Sequence, residues 1–151
     1  MLRTRLTDAL KTAMKNKDAK STATLRLILA ALKDRDIAQR SKGDKVAISD
    51  DEVLGMLQSM IKQRRESIAL YEQGGRMELA QQEAEEIAVI EEFLPEQMGA
   101  EEMASVIDTI IADAQAASLK DMGRVMAALK QSHAGSMDFS KASALVKERL
   151  G

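Results

Sequence analysis

The chain has no cysteine, no tryptophan and a single proline, Pro95, and its 151 residues include only three aromatics, Tyr71, Phe93 and Phe139. Lacking cysteine, it can form no disulfide and has no thiolate metal ligand or cysteine nucleophile. With few aromatics, packing falls to aliphatic side chains, and a 45% apolar content rich in Leu, Ile, Ala and Met is enough to bury a core. No stretch approaches the roughly 18–20 consecutive apolar residues of a membrane span. The first fifteen residues are amphipathic and charged rather than signal-like, so a cytoplasmic protein with no membrane partner is expected. The length suits one domain or two small helical units and leaves little room for a catalytic barrel.

Apolar residues recur with a helical period and few breakers interrupt them, which predicts an all-α fold. A first helix reads over 2–15, with Leu2, Leu6, Leu10 (or Ala9) and Met14 on one stripe. A second, over 21–40, is expected to bury Leu25, Ile28, Leu29 and Leu32. Ser49-Asp50-Asp51-Glu52 is a capping box that starts a third helix running to Gln73, where Gly74-Gly75 end it. A fourth, over 77–93, stops before Pro95, which disfavours helix at the residue it follows and offers no backbone donor. Three shorter helices over 100–116, 119–130 and 139–150 follow, with Ser118 and Asp138 as N-caps. The connector 95–99 is the expected boundary between a four-helix domain, 1–94, and a three-helix domain, 95–151.

The net charge of −2 conceals an uneven distribution. Residues 1–42 hold eleven Lys/Arg against four Asp/Glu, a net +7, whereas 76–102 set Arg76 alone against nine glutamates, a net −8. Arg26, Lys33 and Arg40 recur every seventh residue and share one face of the second helix, a stripe suited to phosphates. The acidic segment is expected to neutralise that stripe in part within the fold. Lys62, Arg64 and Arg65, with Arg76 beyond the glycine pair, form a second basic patch, although Lys62 is also spaced to pair with Glu66.

Catalytic constellations are missing. Glu83, Glu86, Glu91 and Glu92 have helical spacing but no partnering Glu-x-x-His, and the sole histidine, His133, falls in a turn-like segment, so an acidic solvated face is predicted and no metal site. No Gly-x-Ser-x-Gly elbow or phosphate-cradling loop occurs, and no cofactor or catalytic residue is predicted. Gly123, within Met122-Gly123-Arg124, sits in an otherwise good helix at a cost of about 1 kcal/mol relative to alanine. Its retention points to close helix packing or to close approach of a partner.

The run Lys62-Gln63-Arg64-Arg65-Glu66-Ser67-Ile68, then Tyr71, Gly75-Arg76-Met77-Glu78-Leu79-Ala80, Glu83, Glu86-Ile87 and Phe93-Leu94-Pro95, resembles the N-terminal half of the YqeY proteins in the GatB/YqeY family. Met122-Gly123-Arg124-Val125-Met126, followed by Gly135, Asp138 and the segment 146–150, is similar to the tail domain that these proteins share with the GatB subunit of the tRNA-dependent amidotransferase. The resemblance spans nearly the whole chain. It implies an all-helical protein whose tail contacts tRNA, with Arg124, Lys130 and Lys141 as basic candidates and Gly123 and Gly135 as positional glycines. Where that tail commonly carries a basic residue after the glycine, this chain has Ser136, which weakens phosphate contact at the loop. GatB's catalytic cradle has no counterpart here. The resemblance therefore implies a noncatalytic tRNA-associated accessory protein. The alternatives are a module docking on an aminoacyl-tRNA synthetase or amidotransferase subunit, or an accessory component of glutamine-dependent amide transfer, a carbon-nitrogen ligase reaction.

Overall fold

A computed structural model of the chain describes residues 1–43 and 46–151. Its regular structure is helical, with no strand among the described residues, so the fold is all-α, as the periodicity requires. The helices gather into two compact units, Met1–Leu94 and Pro95–Gly151, each with its own apolar core.

The first unit contains α1 (Leu2–Lys15), α2 (Ala19–Ser41), α3 (Asp50–Gln73) and α4 (Met77–Glu91). The α2 helix starts two residues before the expected Ser21, because the Asp18 carboxylate accepts the Ser21 amide at 3.1 Å and caps the first turn. Ser49 caps α3 by accepting the Glu52 amide at 3.2 Å, while the Glu52 carboxylate accepts from the Ser49 hydroxyl at 3.4 Å. Gly75, at φ +71°, takes the left-handed conformation that reverses the chain between α3 and α4, and the following Arg76 amide donates to the Tyr71 carbonyl at 2.8 Å. α3 then packs along α4, and α2 lies against both α1 and α4.

Leu6, Ile28, Val53, Leu57 and Ile90 are fully buried at the centre of this unit. The stripe on α1 differs from the expected one. Ala13 is buried and Met14 is half exposed, because the contact line passes from Leu6 to the residue seven further on rather than eight. Phe93 closes the bottom of the core, with the Arg5 guanidinium 5.5 Å from its ring centroid and donating to the Glu92 carbonyl at 3.3 Å.

The second unit contains α5 (Ala100–Asp113), a 3₁₀ turn (Leu119–Asp121), α6 (Met122–His133) and α7 (Phe139–Leu150) around Ile107, Val125, Leu129, Met137 and Val146. α5 stops short of Ala116 because Gln115 adopts φ +52°, and no glycine marks that stop in the sequence. Ser118 is a cap as expected, but it opens the 3₁₀ turn. The Asp121 carboxylate accepts the Ala117 and Ser118 amides at 2.9 and 3.3 Å, and α6 proper begins only at Met122. His133 belongs to the last turn of α6 and is half-buried, rather than lying in the turn predicted for it. Asp138 caps α7, accepting from the Ser140 and Lys141 amides at 3.0 and 3.2 Å.

Candidate functional site

No ion pair among the described residues joins the acidic segment to the α2 stripe, and five of its nine glutamates, Glu78, Glu83, Glu85, Glu86 and Glu91, pair with other cations. Arg64 reaches from α3 to α4, where its Nε lies 3.0 Å from Glu86 and 3.9 Å from Glu83, while its Nη1 donates to the Met60 carbonyl at 3.2 Å. Its side chain is only 14% exposed, which makes it a strut between helices rather than a surface contact. Burial, followed by the negative charge of Glu86, raises the Glu83 carboxyl above its usual range, and Arg64 only partly opposes this. Arg65 pairs with Glu91 at 3.2 Å, Arg76 with Glu78 at 2.8 Å, and Lys20 with Glu85 at 2.8 Å. The second basic patch is thus largely a set of internal partners for α4. Lys62 is exposed on α3 and engaged in an interaction of its own.

Arg26, Lys33 and Arg40 remain exposed along α2, and no ion pair among the described residues engages them. Seven residues of helix advance about 10 Å, so the three charges form an evenly spaced row. Lys33 and Arg40 line a groove of about 330 Å³ between α1 and α2, whose lining also includes Thr7 and the apolar Leu29, Leu32 and half-exposed Ile37. Arg26 lies on the same helical face but does not line the groove.

The groove wall holds a pair that no sequence motif marks. Arg3 is bidentate to Asp36, with Nη1 donating to Oδ2 and Nη2 to Oδ1, both at 2.8 Å, and Nη2 also donates to the Ile48 carbonyl at 2.9 Å. The Ile48 amide donates to Asp36 Oδ1 at 3.0 Å. Hydrogen bonding from Arg3, reinforced by the Ile48 amide and the charges of Arg3 and Arg40, holds the Asp36 carboxyl below its usual range, so it stays ionised and paired. Arg3 and Asp36 are thirty-three positions apart with no motif linking them. Only the packing of α1 on α2 joins them.

In the second unit, Lys130 and Lys141 are exposed on α6 and α7, whereas Arg124 is tied to Asp121 at 3.0 Å within its own helix start. Met137, beside Ser136, is fully buried, so that loop serves the core.

The two candidate glycines separate. A Cβ at Gly123 would meet nothing within 4 Å, and Gly123 is the second residue of α6, exposed in its first turn. Close packing within the unit therefore does not explain it. Gly135 is buried at φ +80°, and its carbonyl accepts from Gln97 Nε2 at 2.7 Å. Gly123→Ala is expected to leave stability unchanged or raise it by up to about 1 kcal/mol. Gly135→Ala is expected to lower it by about 1–2 kcal/mol, because alanine pays a steric cost in the left-handed region. Thermal melts of the two variants check this, and a loss of stability in Gly123→Ala would contradict the open environment at that position.

Among the described residues no group of three or more His, Asp or Glu side chains is arranged to hold a metal, and no helix is long and apolar enough to cross a membrane.

A family model described as Yqey-like protein matches residues 3–150. An uncharacterized protein of Schizosaccharomyces pombe is 31% identical over 96 residues, which covers 64% of this chain and 71% of that relative.

Proposed function

The chain belongs to the Yqey-like protein family, and from that premise we propose that it is a noncatalytic accessory protein that associates with tRNA. The observation that carries this reading is the row of Arg26, Lys33 and Arg40. Three exposed cations with no ion pair among the described residues line one helix, while Lys20, Arg64, Arg65 and Arg76 are paired with α4 glutamates. Such a row can displace condensed counterions from a phosphate backbone without first breaking a salt bridge. Lys130 and Lys141, in the part of the chain that resembles the GatB tail, add a second and weaker basic set. Any link to amide transfer then lies in a partner enzyme that handles the same tRNA.

A second reading, a module docking on an aminoacyl-tRNA synthetase or amidotransferase subunit, draws support from Leu70 and Met77. These are 67% and 58% exposed on either side of the Gly74-Gly75 turn. Salt separates the two readings. Protein prepared at low salt is expected to carry extractable RNA and to bind bulk tRNA with an affinity that falls steeply as salt rises. Absence of RNA together with salt-insensitive capture of a synthetase or amidotransferase subunit would overturn the tRNA reading in favour of the second.

A further inference from the structure

The groove between α1 and α2 combines three features that a plain phosphate track does not need. Part of its lining is apolar, Leu29, Leu32 and Ile37, and Ile37 is half exposed despite its hydrophobicity. The lining also carries Lys33 and Arg40, one helical heptad apart. The acid in its wall, Asp36, is neutralised by the bidentate Arg3 pair and an amide donor, so it presents no uncompensated charge to repel an anion.

We propose that this groove takes one unpaired nucleotide of a bound RNA, with the base against Leu29, Leu32 and Ile37 and the flanking phosphates on Lys33 and Arg40. The inference rests on the RNA reading and deepens it, because it assigns the stripe a preference for single-stranded or looped segments. A cavity of about 330 Å³ suits a single small guest rather than a helix laid along the protein. Bases inside a duplex are stacked and present only their edges, so they cannot reach an apolar lining. An unpaired base can turn out of its strand and cover Ile37 while its own backbone meets the two cations. Arg26 lies outside the groove and would hold a neighbouring phosphate regardless of strandedness.

The test compares three probes of equal length at fixed salt: oligouridine, an abasic strand with the same phosphates, and a blunt RNA duplex. Wild-type protein is expected to bind oligouridine about three- to fivefold more tightly than the abasic strand, below what aromatic stacking contributes per base, because the groove offers aliphatic side chains and no aromatic face. Ile37→Ala is expected to abolish that difference while leaving the salt slope unchanged, since no phosphate contact is lost. Because Ile37 is half exposed, the variant is expected to fold, and a matching thermal melt verifies this. Equal affinity of the wild type for all three probes, or a base preference that survives Ile37→Ala, would defeat the groove assignment and leave the tRNA reading standing. Tighter, Ile37-dependent binding of a glutamate-rich peptide would assign the groove to protein instead. Failure of every RNA probe to bind would remove both readings together.

Discussion

Replacing Arg26, Lys33 and Arg40 together by alanine is expected to weaken tRNA binding at low salt by about one to two orders of magnitude. The same change should flatten the plot of log affinity against log salt by about 2–3, since each phosphate contact contributes about 0.7–0.9 to its slope. The comparison variant, Arg124→Ala with Lys130→Ala and Lys141→Ala, is expected to act less. Arg124 is already committed to Asp121, and the second unit carries eight acidic residues against six basic ones, so its field toward a polyanion is unfavourable. The net −8 of residues 76–102 argues for the opposite order if charge is simply summed by segment. Pairing decides the matter instead, because five of those glutamates pair with Lys20, Arg64, Arg65 and Arg76 and none is ion-paired with the stripe among the described residues. Alanine is a good helix former, and none of the three stripe residues belongs to an ion pair among the described residues, so the triple variant should retain its fold. A control carrying Arg26→Lys and Arg40→Lys keeps the charges and should keep the slope. If the alanine triple leaves both affinity and slope untouched, the α2 row does not meet phosphate.

Local rules made most of the helices legible. Sparse breakers, the Ser49 and Asp138 caps, the Gly74-Gly75 reversal and the stop before Pro95 each act within four or five residues, and each stands where the sequence indicates. Misreadings occur where the signal is weaker. Gln115 ends α5 in a left-handed conformation without a glycine, Asp18 caps α2 ahead of an apparent start at Ser21, and Asp121 holds a 3₁₀ turn before α6. The candidate site was legible only in part. A seven-residue recurrence exposes the α2 row to inspection, but the groove beside it depends on Arg3 and Asp36 meeting across α1 and α2, which no periodicity encodes. The same limit explains Arg64. In the sequence it is one of several adjacent cations on α3, and only the position of α4 reveals that it is nearly enclosed by two glutamates while its neighbour Arg65 is 66% exposed.

That enclosure makes Arg64→Ala the substitution with the largest expected effect on stability, a loss of about 2–4 kcal/mol near neutral pH. Removing one partner of a largely enclosed ion pair leaves its counter-charges desolvated without compensation, which typically costs about 3–5 kcal/mol, and Glu83 and Glu86 retain enough exposure to lower that figure. Glu83→Gln should behave in the opposite way. Burial and the neighbouring Glu86 already raise the Glu83 carboxyl, so its ionisation opposes folding. That opposition is absent below the ordinary carboxylate range, develops as pH rises toward the raised folded value, and is complete above it. Neutralising Glu83 is therefore expected to be neutral or stabilising at pH 7 and without effect at acid pH. In the Arg64→Ala background it should recover part of the loss, because it removes one of two stranded charges. Denaturant melts of the single and double variants at neutral and acid pH measure all of these effects. If Arg64 were only a solvated surface cation, its alanine variant would melt within about 0.5 kcal/mol of wild type at both pH values. A loss that shrinks on acidification, and that Glu83→Gln partly repairs, is the signature of an arginine that joins α3 to α4.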